Sequence, residues 1–204
     1  MAQAAILVGG LGTRLGSLTA STPKPLIDVG GRPFLDYVLL HLKRHSIDRV
    51  LLLAGYKAEQ IMLYAHVAGT EFEMDVSVST EIMPAGTGGA LWLAQDKLDD
   101  IFLLLNGDTY LDLDPKLLLG DLQHIPHRYA GICSVLPSSI NAGMYAIRKT
   151  IFKFALFNKS LEMWMARSRA FYPYPLDNSH YFVDIGTPDE LARARRDLPQ
   201  KEIK

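Results

Sequence analysis

The sequence contains very little cysteine, since Cys133 is the only one among its 204 residues. A single thiol cannot form an internal disulfide, and the first residues lack the basic flank and long apolar run of a secretory signal. No apolar stretch approaches the ~20 residues that a membrane-spanning helix requires. We therefore expect a cytoplasmic protein without a membrane span.

The sequence also lacks an excess of charge of either sign. Lysine and arginine number 21 against 22 aspartates and glutamates, which gives a formal net charge of −1. This balance creates no overall field that attracts nucleic acid or an anionic membrane, so we expect no nucleic-acid partner. With 49% hydrophobic residues, the chain can build one substantial core, and no repeat or linker divides it. We therefore expect one domain over residues 1–204.

Short apolar runs alternate with helical patterns through the first half of the chain. The run at 4–8 leads into two glycines, which is typical of a strand buried on both faces. The spacing of apolar residues at 34–43 is helical, and Pro33 suits a first helical turn. The same patterns predict strands over 49–54, 72–79 and 101–105, and helices over 58–65 and 90–96. Repeated strand–turn–helix units predict an α/β fold, namely a three-layer α/β/α sandwich with a mainly parallel, Rossmann-like central sheet.

The second half of the chain is less regular, and its predicted elements are shorter. Apolar segments predict strands over 130–136, 144–147 and 180–185, and helices over 151–157 and 161–166. A closing helix is expected after Thr187, because Thr187 suits the N-cap, Pro188 the first helical position and Glu190 the first turn.

A glycine-rich segment, GGLGTRL at 9–15, follows the first predicted strand. Ligands of open α/β sheets collect beyond the carboxyl ends of strands, and closely spaced glycines let backbone N–H groups approach phosphate oxygens. A dinucleotide fingerprint starting at Gly10 would need glycine in place of Leu15, and the chain contains no P-loop signature. The segment therefore indicates either a phosphate-binding loop of another kind or a tight turn.

Ten residues after Arg14, the segment PKPL at 23–26 places Lys24 between two prolines. Proline restricts the backbone and so lowers the entropy that is lost when the ammonium is held in place. Each of the two cations taken alone is typical of a solvated surface charge. Together with the glycine-rich segment, Arg14 and Lys24 could clamp a triphosphate between them.

A series of blocks, taken in order along the chain, resembles the sugar-1-phosphate nucleotidyltransferase family. The blocks are GGLGTRL at 9–15, PKPL at 23–26, GRP at 31–33, PAGTGGA at 84–90, NGD at 106–108, NAGMY at 141–145 and FVDIGTP at 182–188. The resemblance implies a nucleotidyltransferase (GT-A-like) fold and an enzyme that joins a nucleoside triphosphate to a sugar 1-phosphate and releases pyrophosphate. Within the family, the segments at 86–89 and 106–109 resemble the branch that makes GDP-D-glycero-D-manno-heptose from GTP and the heptose 1-phosphate.

The resemblance makes Asp108 and Asp184 the expected ligands of Mg²⁺. The reaction concentrates negative charge around two phosphate groups, and magnesium prefers oxygen ligands with few protein carboxylates. Each aspartate ends a strongly apolar stretch, so the two could meet above one edge of the sheet. An aspartate after a strand is also common as a turn former or helix cap.

The resemblance also implies roles for the other site residues. Catalytic roles fall to Arg14 and Lys24, which are expected to contact the phosphates, with Arg14 toward the departing pyrophosphate. The nucleotide is expected to contact Val8, Gly9, Gly10, Gly12, Thr13, Arg14, Glu81, Gly86, Thr87, Gly88 and Asn106. The sugar is expected to contact Asp108, Asn141, Gly143 and Glu162. The nucleotide part therefore covers about residues 1–110 and the sugar part about 111–204.

Ordinary structural roles compete with some of these expectations. Around the base, Glu81 and the loop at 86–88 could offer acceptors to the N–H donors of guanine. On the sugar side, residues 141–143 also fit a plain turn, and Glu162 also fits a solvated helix face.

The segment between Val135 and Asn141 is shorter than in the family, which usually carries a longer hairpin here with a Glu-Lys pair. That lysine commonly contacts the sugar phosphate. Three explanations are open: a naturally short site, a substitute cation such as Arg148 or Lys149, or a segment of the natural protein that this sequence omits. We favour the last.

Three functions remain open from the sequence alone. The first is guanylyl transfer to heptose 1-phosphate or mannose 1-phosphate, and the second is uridylyl or thymidylyl transfer to another hexose 1-phosphate. The third, prompted by the missing lysine, is a catalytically silent homologue that binds sugar nucleotides and regulates a partner enzyme. Assembly into a homo-oligomer is also open, since family members often pair or form tetramers.

Overall fold

The computed structural model describes residues 2–81, 85–154 and 160–201. Two sequence predictions fall partly outside the described residues: Pro84 of the block at 84–90, and the last residues of the helix predicted over 151–157. Within the described part, no helix is both long enough and apolar enough to cross a membrane.

A seven-stranded sheet forms the centre of the protein. Its strands are β1 (Gln3–Leu7), β2 (Arg49–Ala54), β3 (Asp75–Thr80), β4 (Ile101–Asn106), β6 (Gly131–Val135), β7 (Asn141–Arg148) and β8 (Phe171–Pro175). They lie in the order β3-β2-β1-β4-β7-β6-β8. A separate two-stranded sheet pairs β5 (Thr109–Leu111) with β9 (Phe182–Asp184).

Within the larger sheet, β7 runs against the direction of the other six strands. Strand β1 pairs in parallel with β2 and β4, β2 with β3, and β6 with β8, whereas β7 pairs antiparallel with β4 and β6. The reversal follows from a tight turn between β6 and β7, in which the Leu136 N–H donates to the Ile140 carbonyl over 2.8 Å. The mainly parallel sheet predicted from the sequence is confirmed.

Helices connect most of the strands. The α-helices of the described residues are α1 (Ser17–Ser21), α2 (Phe34–Arg44), α3 (Ala58–Glu71), α4 (Gly86–Leu93), α5 (Pro115–His124), α6 (Leu161–Ser168) and α7 (Pro188–Lys201). Short 3-10 helices cover Thr13–Leu15, Lys24–Leu26, Gln95–Lys97 and Lys149–Lys153. The predicted start of the last helix is confirmed, because the Thr187 hydroxyl accepts from the Glu190 N–H over 3.3 Å.

Two apolar cores lie on opposite faces of the sheet. Successive side chains of a strand point to opposite faces, so Ala4 and Ile6 of β1 join one core while Ala5 joins the other. The first core contains residues of α2, α3, α5 and α7, and the second contains residues of α4 and α6. The three-layer α/β/α sandwich is therefore confirmed.

The strand order reverses between β1 and β4. From β1 the chain proceeds to β2 and β3 on one side, and β4 then pairs with the other side of β1. The carboxyl ends of these two strands lie side by side, since Leu7 pairs with Asn106. Ligands of open α/β sheets bind in the crevice at such a switch point. The fold therefore places a candidate site beyond Leu7 and Asn106.

Some element boundaries differ from those that the sequence predicts. Helix α3 continues to Glu71 instead of ending at residue 65, so β3 begins at Asp75 instead of residue 72. Helix α4 begins at Gly86 instead of residue 90. Glycine disfavours a helix interior by roughly 0.5–1 kcal/mol relative to alanine, but Gly88 and Gly89 are buried here. Packing therefore outweighs their low helix propensity.

Candidate active site

The glycine-rich segment at 9–15 forms a loop that is fixed from within the protein. Gly12 has a left-handed backbone with φ of 62°, a conformation that glycine adopts without strain. The buried Thr19 hydroxyl donates to the Gly12 carbonyl over 3.1 Å. A Cβ atom at Gly12 would lie only 2.7 Å from the Thr19 methyl group. Position 12 therefore requires glycine, because a larger residue could not adopt this backbone conformation.

Lys24 lies inside the protein, although lysine is rarely buried without a partner. Lys24 is the first residue of the 3-10 helix Lys24–Leu26, between Pro23 and Pro25. It is only 6% exposed. Its Nζ atom is 2.5 Å from Oδ2 of Asp108 and 3.4 Å from Oδ1 of Asp184. One ammonium thus joins the two aspartates that the sequence singles out.

The two aspartates meet because β5 and β9 pair. Thr109 lies opposite Asp184 in the antiparallel register, so Asp108, the residue before Thr109, lies next to Asp184. The Ile185 N–H donates to the Asp108 carbonyl over 3.0 Å and extends this pairing. The expectation that the two carboxylates meet at one edge is confirmed, although a small second sheet brings them together.

The carboxylate pair suits a hard divalent cation. Oxygen atoms Oδ2 of Asp108 and Oδ1 of Asp184 converge on one positive charge, the Lys24 ammonium. No group of three or more His, Cys, Asp or Glu side chains among the described residues is arranged to hold a metal. Magnesium commonly takes one or two protein carboxylates and completes its shell with water and substrate phosphates. The residues therefore fit Mg²⁺ held together with a phosphorylated ligand.

A cavity of about 260 Å³ opens beside the glycine loop and Asp108. Asp184 lines a neighbouring cavity, together with Arg14 and Gly186. The lining of the first cavity contains ten residues that the sequence assigns to the site: Val8, Gly10, Gly12, Thr13, Arg14, Lys24, Thr87, Asn106, Asp108 and Glu162. It also contains Leu7, Pro25 and Gly186, which no sequence pattern assigned to the site. The cavity thus brings together most of the predicted nucleotide and sugar contacts.

Arg14 and Gly186 lie in close contact at the edge of this cavity. A Cβ atom at Gly186 would lie 2.6 Å from Nη2 of Arg14 and 2.8 Å from Oδ1 of Asp184. The Gly186 N–H also donates to that Asp184 oxygen over 2.7 Å. Gly186 therefore positions both groups, and its place in the block at 182–188 was the signal that could have identified it.

Asn106 presents a buried acceptor with no protein donor. Its Oδ1 atom is buried and has no hydrogen-bond partner among the described residues. Behind its amide lies Gly143, with φ of 75°, where a Cβ atom would come within 3.0 Å of Nδ2 of Asn106. A buried polar atom without a partner costs free energy, so this oxygen suits a donor on a ligand. Gly143 itself does not line the cavity.

Glu81 lies beside the glycine loop, outside the cavity lining. Its Oε2 accepts from the Ala85 N–H over 2.9 Å, and this bond holds the start of α4. A Cβ atom at Gly9 would lie 3.2 Å from its other oxygen, Oε1, and one at Gly55 only 2.5 Å. Gly9 and Gly55 therefore leave room for this carboxylate. Gly86 and Gly88, both in α4, are also outside the lining.

Thr87 and Glu162 form a link across the cavity wall. The Thr87 hydroxyl donates to Oε2 of Glu162 over 3.0 Å and accepts from the Leu161 N–H over 2.8 Å. The Ser160 hydroxyl, which caps α6, donates to the same Oε2 over 2.6 Å. Glu162 is therefore held by two hydroxyl groups and is not simply a solvated helix residue. An N-cap serine followed by an acid is the sequence signal for Ser160.

Asn141 is engaged within strand β7 and does not line the cavity. Its Oδ1 accepts from the Gly143 N–H over 2.9 Å, and its Nδ2 donates to the Tyr145 hydroxyl over 2.6 Å. Burial raises the pKa of Tyr145 well above its ordinary value. The interpretation of residues 141–143 as a plain turn is wrong, because they begin a strand.

The proposed substitute cations Arg148 and Lys149 are not at the site. Arg148 pairs with Ile101, at the opposite end of β4 from Asn106. Its guanidinium donates to the carbonyls of three residues that lie in α5 or shortly after it: Leu122, Ile125 and Tyr129. Lys149 donates to the Leu98 carbonyl over 2.8 Å. Both cations therefore satisfy backbone carbonyls far from the cavity, and the substitution explanation is wrong.

Comparisons with known proteins agree with this arrangement. The family model described as nucleotidyl transferase matches residues 3–139. D-glycero-alpha-D-manno-heptose 1-phosphate guanylyltransferase from Aneurinibacillus thermoaerophilus is 30% identical over 233 aligned positions, which cover 96% of this chain and 98% of that protein. The enzyme of the same name from Campylobacter jejuni is 31% identical, with 92% and 96% covered. The first alignment is longer than this chain. The Aneurinibacillus protein therefore contains segments that have no counterpart here.

A solved structure matches the fold over its whole length. HddC from Yersinia pseudotuberculosis, complexed with GMP-PN, superposes with a TM-score of 0.74 and is 28% identical, with 100% of both chains covered. The resemblance drawn from the sequence blocks is confirmed by the family model and by relatives that span nearly the whole chain. The chain belongs to the nucleotidyl transferase family and is related to sugar-phosphate guanylyltransferases.

Proposed function

We propose that this protein transfers GMP from GTP to D-glycero-alpha-D-manno-heptose 1-phosphate and releases pyrophosphate. In this reaction an oxygen of the sugar phosphate attacks the α-phosphorus of GTP. The bond from the α-phosphorus to the oxygen that bridges it to the β-phosphorus breaks, and that oxygen leaves with pyrophosphate. The names of two relatives that cover nearly all of the chain support this substrate. The complex of the Yersinia protein with GMP-PN supports GTP as the nucleotide.

One observation carries the proposal more than any other. The Lys24 ammonium bridges Asp108 and Asp184 at the wall of a cavity that the glycine loop also lines. Phosphoryl chemistry depends mainly on positioning and on neutralising charge near the reacting phosphates. The glycine loop, Arg14, Lys24 and Asp108 line this cavity. Asp184 is held next to it by Lys24, so the site can supply both. A protein that only binds sugar nucleotides would not need this concentration of charge.

The phosphates of the nucleotide belong beside the glycine loop in this proposal. Gly10 and Gly12 line the cavity, and a Cβ atom at Gly10 would meet nothing within 4 Å, so its backbone is open to a ligand. Gly9 packs against Gly55 and Glu81. Arg14 lies at the edge of the cavity and is exposed, so its guanidinium can follow the departing pyrophosphate. Lys24 is buried, lines the same cavity and would contact the phosphates from inside the protein.

Asp108 and Asp184 would hold Mg²⁺, and the cation when bound would neutralise phosphate charge and fix the orientation of phosphate oxygens. The carboxylates are suited to this because they come from two paired strands whose register is fixed. Gly186 holds one oxygen of Asp184 through its N–H group.

The remaining residues divide between the base and the sugar in this proposal. Glu81 and the start of α4 at 86–88 would surround guanine, whose N–H groups need acceptors. Asn106 and Glu162 face the cavity with acceptor oxygens and would meet ribose or sugar hydroxyls, with Asn141 and Gly143 supporting Asn106 from behind. Residues up to about 110 would thus serve mainly the nucleotide, and residues from about 111 mainly the sugar, within one domain of a cytoplasmic enzyme.

Pyrophosphate release across a panel of substrates tests the proposal. The purified protein with Mg²⁺ is incubated with each of GTP, ATP, CTP, UTP and dTTP, alone and with heptose 1-phosphate, mannose 1-phosphate or glucose 1-phosphate. We expect release only when nucleotide and sugar phosphate are both present, with the highest kcat/KM for GTP and heptose 1-phosphate. Highest activity with UTP would favour a uridylyltransferase, and no release from any pair would favour the regulatory alternative.

A further inference from the structure

Lys24 occupies the space between the two carboxylates that are expected to bind metal. Its Nζ atom is 2.5 Å from Asp108 and 3.4 Å from Asp184, and the lysine is only 6% exposed. The two aspartate side chains are more open, at 32% and 43% exposed. The ammonium is therefore the inner member of the group, and the carboxylates are the more exposed members. Asp108 lines the cavity beside the glycine loop, and Asp184 lines the neighbouring one.

Lys24 contacts one oxygen of each carboxylate, Oδ2 of Asp108 and Oδ1 of Asp184. The other Asp108 oxygen, Oδ1, accepts from the Thr109 hydroxyl over 3.3 Å. Oδ1 of Asp184 accepts from the Gly186 N–H as well as from Lys24. A cation that bound these two oxygens would therefore share them with the lysine.

The charges of these three side chains set a condition for metal binding. Two carboxylates and one ammonium have a net charge of −1, so the lysine already cancels half of the carboxylate charge. A divalent cation beside the ammonium would bring like charges within a few ångströms of each other, which is unfavourable. A nucleotide triphosphate supplies the additional negative oxygens that both cations need.

We propose that Lys24 is a built-in counter-ion that keeps the carboxylate pair from binding a divalent cation until the nucleotide arrives. This inference rests on the proposed function, because it assumes that the same pair holds Mg²⁺ during nucleotidyl transfer. In the free protein the lysine compensates Asp108 and Asp184. When phosphates enter the cavity, the lysine turns to them and leaves the carboxylate oxygens to the metal.

The structure allows this change without movement of the main chain. Lys24 lies between Pro23 and Pro25, and its backbone is fixed by the 3-10 helix, in which the Leu26 N–H donates to the Pro23 carbonyl over 2.8 Å. The lysine already lines the cavity that the phosphates would enter. Rotation about its side-chain bonds would then bring the ammonium to the phosphates.

Binding of Mn²⁺ in the absence of nucleotide tests the inference. Free Mn²⁺ is followed by electron paramagnetic resonance during titration of the wild type and of Lys24→Met, which removes the charge and shortens the side chain by one atom. We expect Lys24→Met to bind one Mn²⁺ at least tenfold more tightly than the wild type, and added Mg²⁺ to displace it. Equal or weaker binding by Lys24→Met would overturn the inference.

Two control variants locate the effect. Lys43→Met also removes one lysine near an aspartate, since Lys43 Nζ is 3.6 Å from Oδ1 of Asp48 at the surface, and we expect it to bind Mn²⁺ as the wild type does. The double variant Lys24→Met/Asp108→Asn should lose the tight binding. Tight binding that survives in the double variant would also overturn the inference, because the metal would then lie elsewhere.

Folding and function are checked separately. A thermal melt monitored by circular dichroism shows whether Lys24→Met folds. If it does not fold, Lys24→Gln is used instead, and we expect the same tighter binding of Mn²⁺. The proposed function has its own readout, because pyrophosphate release by the wild type does not depend on any Lys24 variant. If Lys24→Met binds Mn²⁺ more tightly but the wild type releases no pyrophosphate, the proposed function is rejected and the role of Lys24 as a counter-ion is retained.

Discussion

The hydroxyl of Thr87 donates a hydrogen bond to Oε2 of Glu162 over 3.0 Å and so joins α4 to α6 across the cavity wall. The same hydroxyl accepts from the Leu161 N–H. One threonine therefore fixes both the carboxylate and the first turn of its helix. Because Thr87 belongs to the predicted nucleotide contacts and Glu162 to the predicted sugar contacts, this bond connects the two halves of the site.

Replacing Thr87 by alanine tests that connection. The substitution removes a hydrogen bond to a charged group, and such bonds contribute roughly 1.5–3 kcal/mol. We expect Thr87→Ala to raise KM for the sugar phosphate about tenfold or more, with a much smaller change in KM for the nucleotide. Initial rates of pyrophosphate release at varied concentrations of each substrate give both values.

Thr87→Ser is the matched control, because serine keeps the hydroxyl and loses only a methyl group. We expect it to restore most of the affinity for the sugar phosphate. Equal losses in Thr87→Ser and Thr87→Ala would show that packing of the methyl group matters and that the hydroxyl does not position Glu162.

Gly143 provides a prediction about stability. Its φ of 75° is strained for other residues, and a Cβ atom there would press on the Asn106 amide. A residue other than glycine in this region costs roughly 1–3 kcal/mol. We therefore expect Gly143→Ala to lower the melting temperature by several degrees and to reduce kcat/KM by moving Asn106.

Gly120 is the control for Gly143. It lies in α5, where a Cβ atom would meet nothing within 4 Å. Alanine is favoured over glycine in a helix by about 0.5–1 kcal/mol, so Gly120→Ala should raise the melting temperature slightly and leave activity unchanged. A Gly143→Ala protein as stable as the Gly120→Ala protein would contradict the assigned strain.

Much of the nucleotide half could be predicted from the sequence because its signals are local. The strand β1, the glycine loop and Lys24 follow one another within the first 26 residues, and each has its own composition signal. Helix α5 also has a local signal that the predictions did not use: Asp114 caps it through the Lys116 N–H, and Pro115 occupies its first position.

The rest depends on contacts between distant segments. Strands β5 and β9 have three residues each and are more than 70 positions apart. The strand predicted over 180–185 covers β9, but β5 has no strong pattern of its own, and neither segment indicates its partner. Their pairing decides that Asp108 meets Asp184. Strand β8 contains Pro173 and Pro175, which argue against a strand in sequence, yet it lies at the sheet edge where proline is tolerated. These features follow from tertiary packing.

Arg148 is expected to support the fold and to have no part in the reaction. Its buried guanidinium donates to the carbonyls of Leu122, Ile125 and Tyr129. Hydrogen bonds from a charged donor contribute roughly 1.5–3 kcal/mol, so Arg148→Met should lower the free energy of unfolding by at least about 2 kcal/mol in urea titrations. KM for the sugar phosphate should stay within twofold, and a large rise without loss of stability would restore Arg148 as a substrate contact.

His41 makes stability depend on pH. Burial lowers the pKa of His41 below its ordinary value, and its Nε2 lies 2.8 Å from the Leu113 carbonyl. The unfolded chain takes up a proton near pH ~6.5, whereas the folded chain does not. Stability is therefore complete above about pH 6.5 and falls as the pH drops from there toward the lower pKa of the folded state.

The contribution of His41 is measured by comparison with His41→Gln, which cannot take up that proton. Urea midpoints are determined at about pH 7.5 and about pH 5.5, on either side of the ordinary histidine pKa of about 6.5. We expect the wild type to lose more stability than His41→Gln between the two values. An equal loss in both proteins would show that other groups cause the dependence on pH.

The central claim is that Asp108 works with Asp184 at a site that transfers a nucleotidyl group. Its most direct test is the rate of pyrophosphate release from GTP and heptose 1-phosphate with Mg²⁺, compared between the wild type and Asp108→Ala. Removing a single group that stabilises developing charge lowers kcat by roughly 10²–10³-fold. We therefore expect Asp108→Ala to release pyrophosphate at least about a hundredfold more slowly while it remains folded. A folded Asp108→Ala protein that releases pyrophosphate as fast as the wild type would contradict the account.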